Sequence, residues 1–224
     1  MPHMRFYTSE PLKVCATVAI SGEEAIHIRR VMRAQVGTKI ELVNGKGVLG
    51  FGAVTYIDKR EVQVEIESTE SETKHEKWIT LYQAMPKFTH LQIIVEKCTE
   101  LGVDEIVLFE SSLSEKKELS KNQRERLSHL SISALKQCGR LTLPIIREGK
   151  LHEAKGPNLY FGEIGGSTKI SSSAIATFIN GPEAGFDKKD FEKMNSLDAQ
   201  GIVLSPNILR TETAAIIAIA LLNQ

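Results

Sequence analysis

The sequence predicts an α/β protein in which a mainly parallel sheet follows a small β-barrel, and three observations lead there. From Trp78 onward, apolar runs of strand length alternate with segments of helical periodicity, the pattern of βαβ units. Before that point, short runs with two-residue alternation cluster between turn signals around one helix. Between the two regions, STESETKHEK at 68–77 has the polar composition of a linker, so the expected domains are residues 1–72 and 73–224.

The elements follow in order. MPHM reads as including a cloning remnant ahead of Met4, with RFYTSEPL as the natural start. SGEE at 21–24 has the Ser-x-x-Glu form of a capping box and should open a helix that runs through AIHIRRVMR to Gly37. In it Ile28, Val31 and Met32 share one side, and Arg29, Arg30 and Arg33 crowd another through i+3 and i+4 spacing. That cluster is either a solvated face or a site for an anion. KIELV, VLGFGAVTYI and EVQVEIE read as strands joined by turns at NGKG and DKR. In the second region WITLYQAM, DEIVLF, NLYFG, AIATFIN and GIVL read as strands. THLQIIVEKCTEL is a helix closed by Gly102, and SKNQ at 120–123 caps a longer one with Leu127, Leu130, Ala134, Leu135 and Cys138 as its stripe. Asp187 caps another helix, and the last begins near Thr211, its run AAIIAIALL suiting either a core or an interface.

Composition narrows the function classes. At 224 residues and 42% hydrophobic the chain can bury one large core or two modest ones. No apolar run approaches the ~20 residues that span a bilayer and no signal-peptide order opens the chain, so a cytoplasmic location without membrane attachment is expected. Cys15, Cys98 and Cys138 are odd in number and far apart, which fits reduced thiols; neither a disulfide framework nor a metal site is expected. Charges balance at 28 basic and 28 acidic, so any polyanion site must be a local patch.

Neither GxGxxG after the first strand of the second region, nor GxxxxGK[ST], nor GxSxG occurs, which removes the usual dinucleotide, P-loop and nucleophile-elbow readings. Instead three late strands end in turn sequences, NLYFG-EIGGS, ATFIN-GPEAG and GIVL-SPN. An open α/β sheet binds ligands beyond the carboxyl ends of its strands, and such turns expose peptide groups to one. GPEAG by itself is equally an ordinary strand-to-helix turn.

Several spaced stretches carry a resemblance. LSPNILRTETA at 204–214 resembles the LGxRILRxETA signature, and INGPEAGF the IGPEGGF signature, of the RsmE family. These are SPOUT-class methyltransferases acting on N3 of a uridine in 16S, small-subunit, ribosomal RNA. Gln83, Lys87, Lys97 and ELGV at 100–103 are similar to the family's Q…K…KxxELGV segment, and AxxQCGR at 134–140 to its EQxGR helix end. HIRRVMRAQVGTKIELVNGKG is similar to its H…VLR…VGDxIxLxDGxG stretch.

The resemblance implies a PUA-like first domain that grips RNA, then a SPOUT domain whose C-terminal tail is tied in a deep trefoil knot forming the S-adenosylmethionine pocket. General topology rules would not have suggested a knot. It also implies a homodimer with active sites at the subunit interface and 16S RNA, in the small ribosomal subunit, as partner. By match, the cofactor residues are Phe161, Gly162 and Glu163, then Gly181, Pro182, Glu183, Ala184 and Gly185, then Leu204, Ser205, Asn207, Ile208 and Leu209, with Thr213. RNA contacts fall to Arg5, Arg29, Arg30, Arg33 and Lys87, positioning the phosphates, with His27 a further phosphate-contact candidate; taken alone His27 reads as an ordinary surface histidine, without a catalytic role. Arg210 and Arg140 suit electrostatic stabilisation of a uracil anion, because arginine stays protonated. Glu183 is either the base or a structural acceptor within its turn, and Glu212 and Glu100 are read as structural.

The chain departs from the family pattern at Ala184, Ser205, Asn207 and Lys136, and FESSLSEKKEL lacks the family's ERS triplet. These departures bear on substrate more than on cofactor. A different base or a ribose 2′-hydroxyl as target, or an RNA-binding factor without cofactor, are the alternatives.

Overall fold

The computed structural model describes residues 4–73, 76–114, 118–166 and 174–224. The start of MPHM, Lys74 and His75 in the linker stretch, part of SSLSEKKEL and the residues after EIGG lie outside them. The chain forms two compact units, residues 1–74 with 135–143, and residues 75–134 with 144–224.

In the first unit β1 (Arg5–Tyr7), β2 (Thr17–Ser21), β3 (Lys39–Val43), β4 (Val48–Ile57) and β5 (Glu61–Ser71) form one sheet in the order β1-β3-β4-β5-β2. β1 lies parallel to β3 and the other pairs are antiparallel. Alternation along the strands sends Ile40, Leu42, Val54, Val62, Val64 and Ile66 to one buried face, where Phe6 and Ile28 join them. The NGKG turn is built by Asn44, whose Oδ1 accepts the N–H groups of Lys46 and Val48 at 2.8 and 3.1 Å. β1 and β2, which the patterning did not suggest, are the edges of this open half-barrel.

The SGEE segment departs from expectation. α1 covers only Gly22–Ile26, and Ser21 makes no side-chain cap bond, because Ser21 belongs to β2 and pairs with Glu61. The helix then widens into a π-turn at His27–Val31 and stops at Arg33, which takes φ 50°, well before Gly37. Ile28 is fully buried, but Val31 turns outward and is 66% exposed.

The second unit has the expected alternation. β6 (Trp78–Ala84), α2 (Phe88–Glu100), β7 (Glu105–Phe109), α3 (Lys121–Cys138), β8 (Ile145–Gly149), β9 (Leu159–Gly162), β10 (Ile175–Asn180), α4 (Lys188–Ser196), β11 (Gln200–Ile202) and α5 (Thr211–Leu222) follow in turn. The sheet runs β11-β9-β10-β6-β7-β8 with every pair parallel. β8 is short and half-exposed, which hid it from pattern reading. A working capping box starts α3: Ser120 N–H donates to Gln123 Oε1 at 3.0 Å and Gln123 N–H to Ser120 Oγ at 3.3 Å. Asp187 caps α4 by accepting from Asp190 N–H at 2.8 Å.

Strand alternation divides the core of this unit. Ile79, Leu81, Ile106, Leu108 and Phe178 pack with residues of α2, α3 and α5, whereas Tyr82, Val107, Phe109, Phe161 and Ile179 pack with Met194 of α4. After β11, at the edge of the sheet, Val203–Arg210 carries the chain back to its middle, where α5 packs on β10, β6 and α2. No helix among the described residues is long and apolar enough to cross a membrane.

One glycine of the first unit is sterically required. β4 shifts register beside Gly52, and a β-carbon there would lie 2.4 Å from the Glu65 carbonyl oxygen and 2.9 Å from Val64 Cγ1. Gly52→Ala is therefore expected to cost about 1–3 kcal/mol through forced separation of β4 and β5. Urea unfolding checks this: a lowered midpoint is the expected result, and a wild-type midpoint would contradict it.

Candidate active site

Three loops leave the carboxyl ends of β9, β10 and β11 and enclose a cavity of about 360 Å³. Gly162, Glu163 and Ile164 form one wall, Gly181 to Phe186 the second, and Leu204, Ser205, Asn207, Ile208 and Leu209 the third. Asn180, Ile202, Thr211 and Ala214 complete it. The volume lies in the range of small-molecule sites, and the location is the one an open parallel sheet favours. Gly181 and Gly185 keep the second wall thin: a β-carbon on Gly181 would meet the Phe186 ring at 3.5 Å, and Gly185 takes φ +76°.

A buried polar knot of side chains fixes how these loops leave the sheet. The Thr211 hydroxyl donates to Gly181 O at 2.6 Å and accepts from Asn180 Nδ2 at 3.1 Å and Gln83 Nε2 at 3.2 Å. That saturates one donor and two lone pairs. Asn180 Nδ2 also donates to Gln83 Oε1 at 2.7 Å and to Thr211 O at 2.8 Å, and Gln83 Nε2 to Ala84 O at 2.8 Å. β6, β10, the GPEAG turn and the first residue of α5 are thus joined at one point.

Glu183 is held by a different contact. Its Oε1 accepts the N–H of Lys87, at the start of α2, at 2.9 Å and lies 2.7 Å from His90 Nδ1. Burial pushes the carboxyl up, but the N–H groups of Lys87 and of Glu183 itself, with His90, outweigh it and hold Glu183 below the ordinary value. An acid so stabilised as the anion is a weak proton acceptor. Of the two roles open to Glu183, the geometry favours that of a structural acceptor tying the GPEAG turn to α2.

Two expected cofactor residues do not line the cavity. Phe161 is 3% exposed and stacks edge-on with Phe186 and Phe191, at centroid distances of 6.5 and 5.9 Å, so it supports the second wall from behind. Thr213 is turned away because one helical step rotates a side chain by about 100°, which leaves Thr211 and Ala214, three apart, on the cavity side. Ile164, Asn180, Phe186, Ile202, Thr211 and Ala214 line it without having been anticipated. An asparagine closing an otherwise apolar strand in ATFIN was the available signal for Asn180.

The departures from the pattern find room. Ala184 is absent from the non-glycine residues with positive φ, so its methyl brings no backbone strain, and Ser205 Oγ accepts the N–H of Asn207 at 3.1 Å. Arg210 is exposed, starts α5 beside Leu209 and Thr211, and makes no side-chain ion pair among the described residues. Lys97 pairs with Glu96 and Glu100, both at 2.8 Å, which leaves Glu100 structural. Glu212 is buried in the first turn of α5, where an acid suits the helix dipole. Cys98 is buried in apolar surroundings that push its thiol far up, so it is unreactive.

Within the first unit the basic residues separate. Arg5 is not a free phosphate contact: its side chain is 10% exposed and its Nε pairs with Glu41 at 2.8 Å. Arg29 donates to Asp58 O at 3.1 Å, which leaves Arg30 and Arg33 as the exposed members of the cluster. Arg140 also belongs to this unit, half-buried after Gly139, and is not among the residues lining the cavity. Lys136 pairs with Glu24, so the base that replaces the usual acid has a matching partner.

Residues 50–156 and 158–223 match the RNA methyltransferase domain family, and residues 20–67 the RNA methyltransferase PUA domain. The ribosomal RNA small subunit methyltransferase E of Aquifex aeolicus is 30% identical over 74% of this chain and 76% of its own length. The chain belongs to the ribosomal RNA small subunit methyltransferase E family. A member from Rickettsia conorii is 28% identical over 98% of this chain and 95% of its own. The crystal structure of one from Neisseria gonorrhoeae bound to S-adenosyl methionine superposes with a TM-score of 0.84 at 30% identity, covering 97% of this chain and 96% of that one. The methyltransferase Lpg2936 of Legionella pneumophila, at 24% identity and TM-score 0.89, covers 98% and 96% and shares the fold.

Removing the Thr211 hydroxyl while keeping its shape should delete the 2.6 Å bond to Gly181 O and the acceptor that the Asn180 and Gln83 amides share, while those amides keep their carbonyl partners. Thr211→Val is expected to lose about 1 kcal/mol of stability and to loosen the GPEAG wall. Unfolding together with calorimetric ligand titration checks this: wild-type stability and affinity in the variant would remove the network from its role.

Proposed function

We propose that this chain transfers the methyl group of S-adenosylmethionine to N3 of a uridine in 16S ribosomal RNA. The observation that carries the reading is the cavity itself: thin loop walls at the carboxyl ends of β9–β11, apolar surface from Pro182, Phe186, Leu204 and Ile208, and Glu163 and Glu183 as its charged lining residues. Those features fit a small bent ligand with an adenine to sandwich, amide edges to satisfy and positive charge to offset. The Neisseria relative, bound to S-adenosyl methionine, supports the same assignment.

When bound, the cofactor supplies an electrophilic methyl on a sulfonium. The three loops would hold it through their peptide groups, and the side-chain network at Thr211 keeps their exits fixed. Uracil N3 attacks well only as the anion, and Arg210, charged and exposed beside the third wall, is suited to stabilise negative charge spreading onto the carbonyl oxygens. Arg30 and Arg33, exposed on the first unit, are suited to phosphate contacts, and Arg29 and Lys87 remain candidates for them. The path of Val203–Arg210 from the sheet edge back to its middle is compatible with a trefoil knot in the tail. A homodimer is supported by α5, where Ile216, Ile217, Ala220 and Leu221 are half-exposed although apolar. The cytoplasm, where ribosomal RNA is modified, is the corresponding location.

Incubating small-subunit RNA and assembled small subunits with the purified protein and methyl-labelled cofactor, then digesting for mass spectrometry, tests the reading. Labelled 3-methyluridine is expected; label on a ribose or another base would transfer the activity to that target, and no label would refute methylation. Arg210→Ala should lower turnover on the order of 10²–10³-fold with unchanged unfolding. Near-wild-type turnover would exclude Arg210 from the chemistry.

A further inference from the structure

We propose that Glu163, whose carboxylate lies over β11 in the space left by Gly201, makes the cavity prefer the positively charged methyl donor over its neutral demethylated product; this rests on the methyltransferase reading and adds to it a determinant of product release. Among the described residues, those with charge that line the cavity are Glu163 and Glu183, and none of them is a lysine, arginine or histidine. The two carboxylates are not equivalent. Glu183 is already engaged by Lys87 N–H and by His90. The Glu163 side chain has no hydrogen-bond or ion-pair partner among the described residues, although its backbone is fixed by a 2.9 Å bond from its N–H to Ile202 O. Among those residues it is therefore the uncompensated negative charge of the wall.

Gly201 leaves room for that charge, on an exposed side chain, to lie along the rim. A β-carbon on Gly201 would fall 1.9 Å from Glu163 Oε2 and 3.2 Å from Glu163 Cβ. The Glu163 side chain thus lies flat across the Cα of Gly201, next to Ile202, which itself lines the cavity. Gly201 has no positive φ, so alanine there would strain no backbone and would act by pushing the carboxylate away.

Methyl transfer changes the donor from a sulfonium to a neutral thioether and removes one positive charge from the ligand. An anion at the rim stabilises the sulfonium charge and gains nothing from the thioether, so it favours exchange of spent for fresh cofactor. A carboxylate at an open rim is partly screened by water, which holds the expected preference to a few-fold.

The test is calorimetric titration of the full chain, as wild type, Glu163→Gln and Gly201→Ala, with S-adenosylmethionine and with S-adenosylhomocysteine. Both variants are expected to weaken the sulfonium ligand about fivefold and the thioether less than twofold, with unfolding midpoints confirming folded protein. Equal weakening of both ligands, or no change in either, would overturn the inference while wild-type binding leaves the methyltransferase reading standing. Binding of neither ligand by the wild type would instead overturn that reading, and this inference with it.

Discussion

The hydroxyl of Thr211 is where the second unit is tied together. It closes onto Gly181 O, takes hydrogens from Asn180 and Gln83, and begins the helix that returns from the sheet edge to the sheet centre. Without those bonds the GPEAG turn and the start of α5 would lose their direct tie, and the buried amides of β6 and β10 would keep only their mutual and main-chain partners. The network therefore sets where the GPEAG turn leaves β10 and where the 204–209 loop must end. The cavity is the space left between those two fixed points and the loop after β9.

The ligand chemistry follows from that constraint. Three loops meeting at strand ends present peptide groups to the cavity, and apolar side chains supply the surface between them. Their aromatic support lies beneath, where Phe161, Phe186 and Phe191 stack edge to face. Glu183 is engaged by the start of α2, and Glu163 is the other acid among the described lining residues.

Much of this was legible in sequence because it follows local rules. Alternation identified most strands of both units, the caps at Ser120 and Asp187 started their helices, and three strand-end turns marked the ligand side of the sheet. The local rule failed at SGEE, where pairing of Ser21 with Glu61 kept the serine in a strand and the following helix slipped into a π-turn. β1, β2 and β8 are short edge or near-edge strands whose burial comes from distant partners, so no window of sequence contains the signal. The pairing of Asn180 with Thr211 escaped as well, although the asparagine closing ATFIN was a local signal, because 31 residues separate them and only the folded sheet brings their side chains together. Compensation is also non-local, as Lys136 acquires its partner Glu24 from 112 residues away.

If loop walls pinned by the Thr211 network cradle the methyl donor, a crystal structure of this chain with S-adenosylmethionine will show a bent ligand in the cavity, hydrogen-bonded to main-chain groups of residues 162–164, 181–186 and 204–209, with the Thr211–Gly181 bond intact. A donor bound elsewhere on the chain, or held in an extended shape by side chains alone, would contradict it.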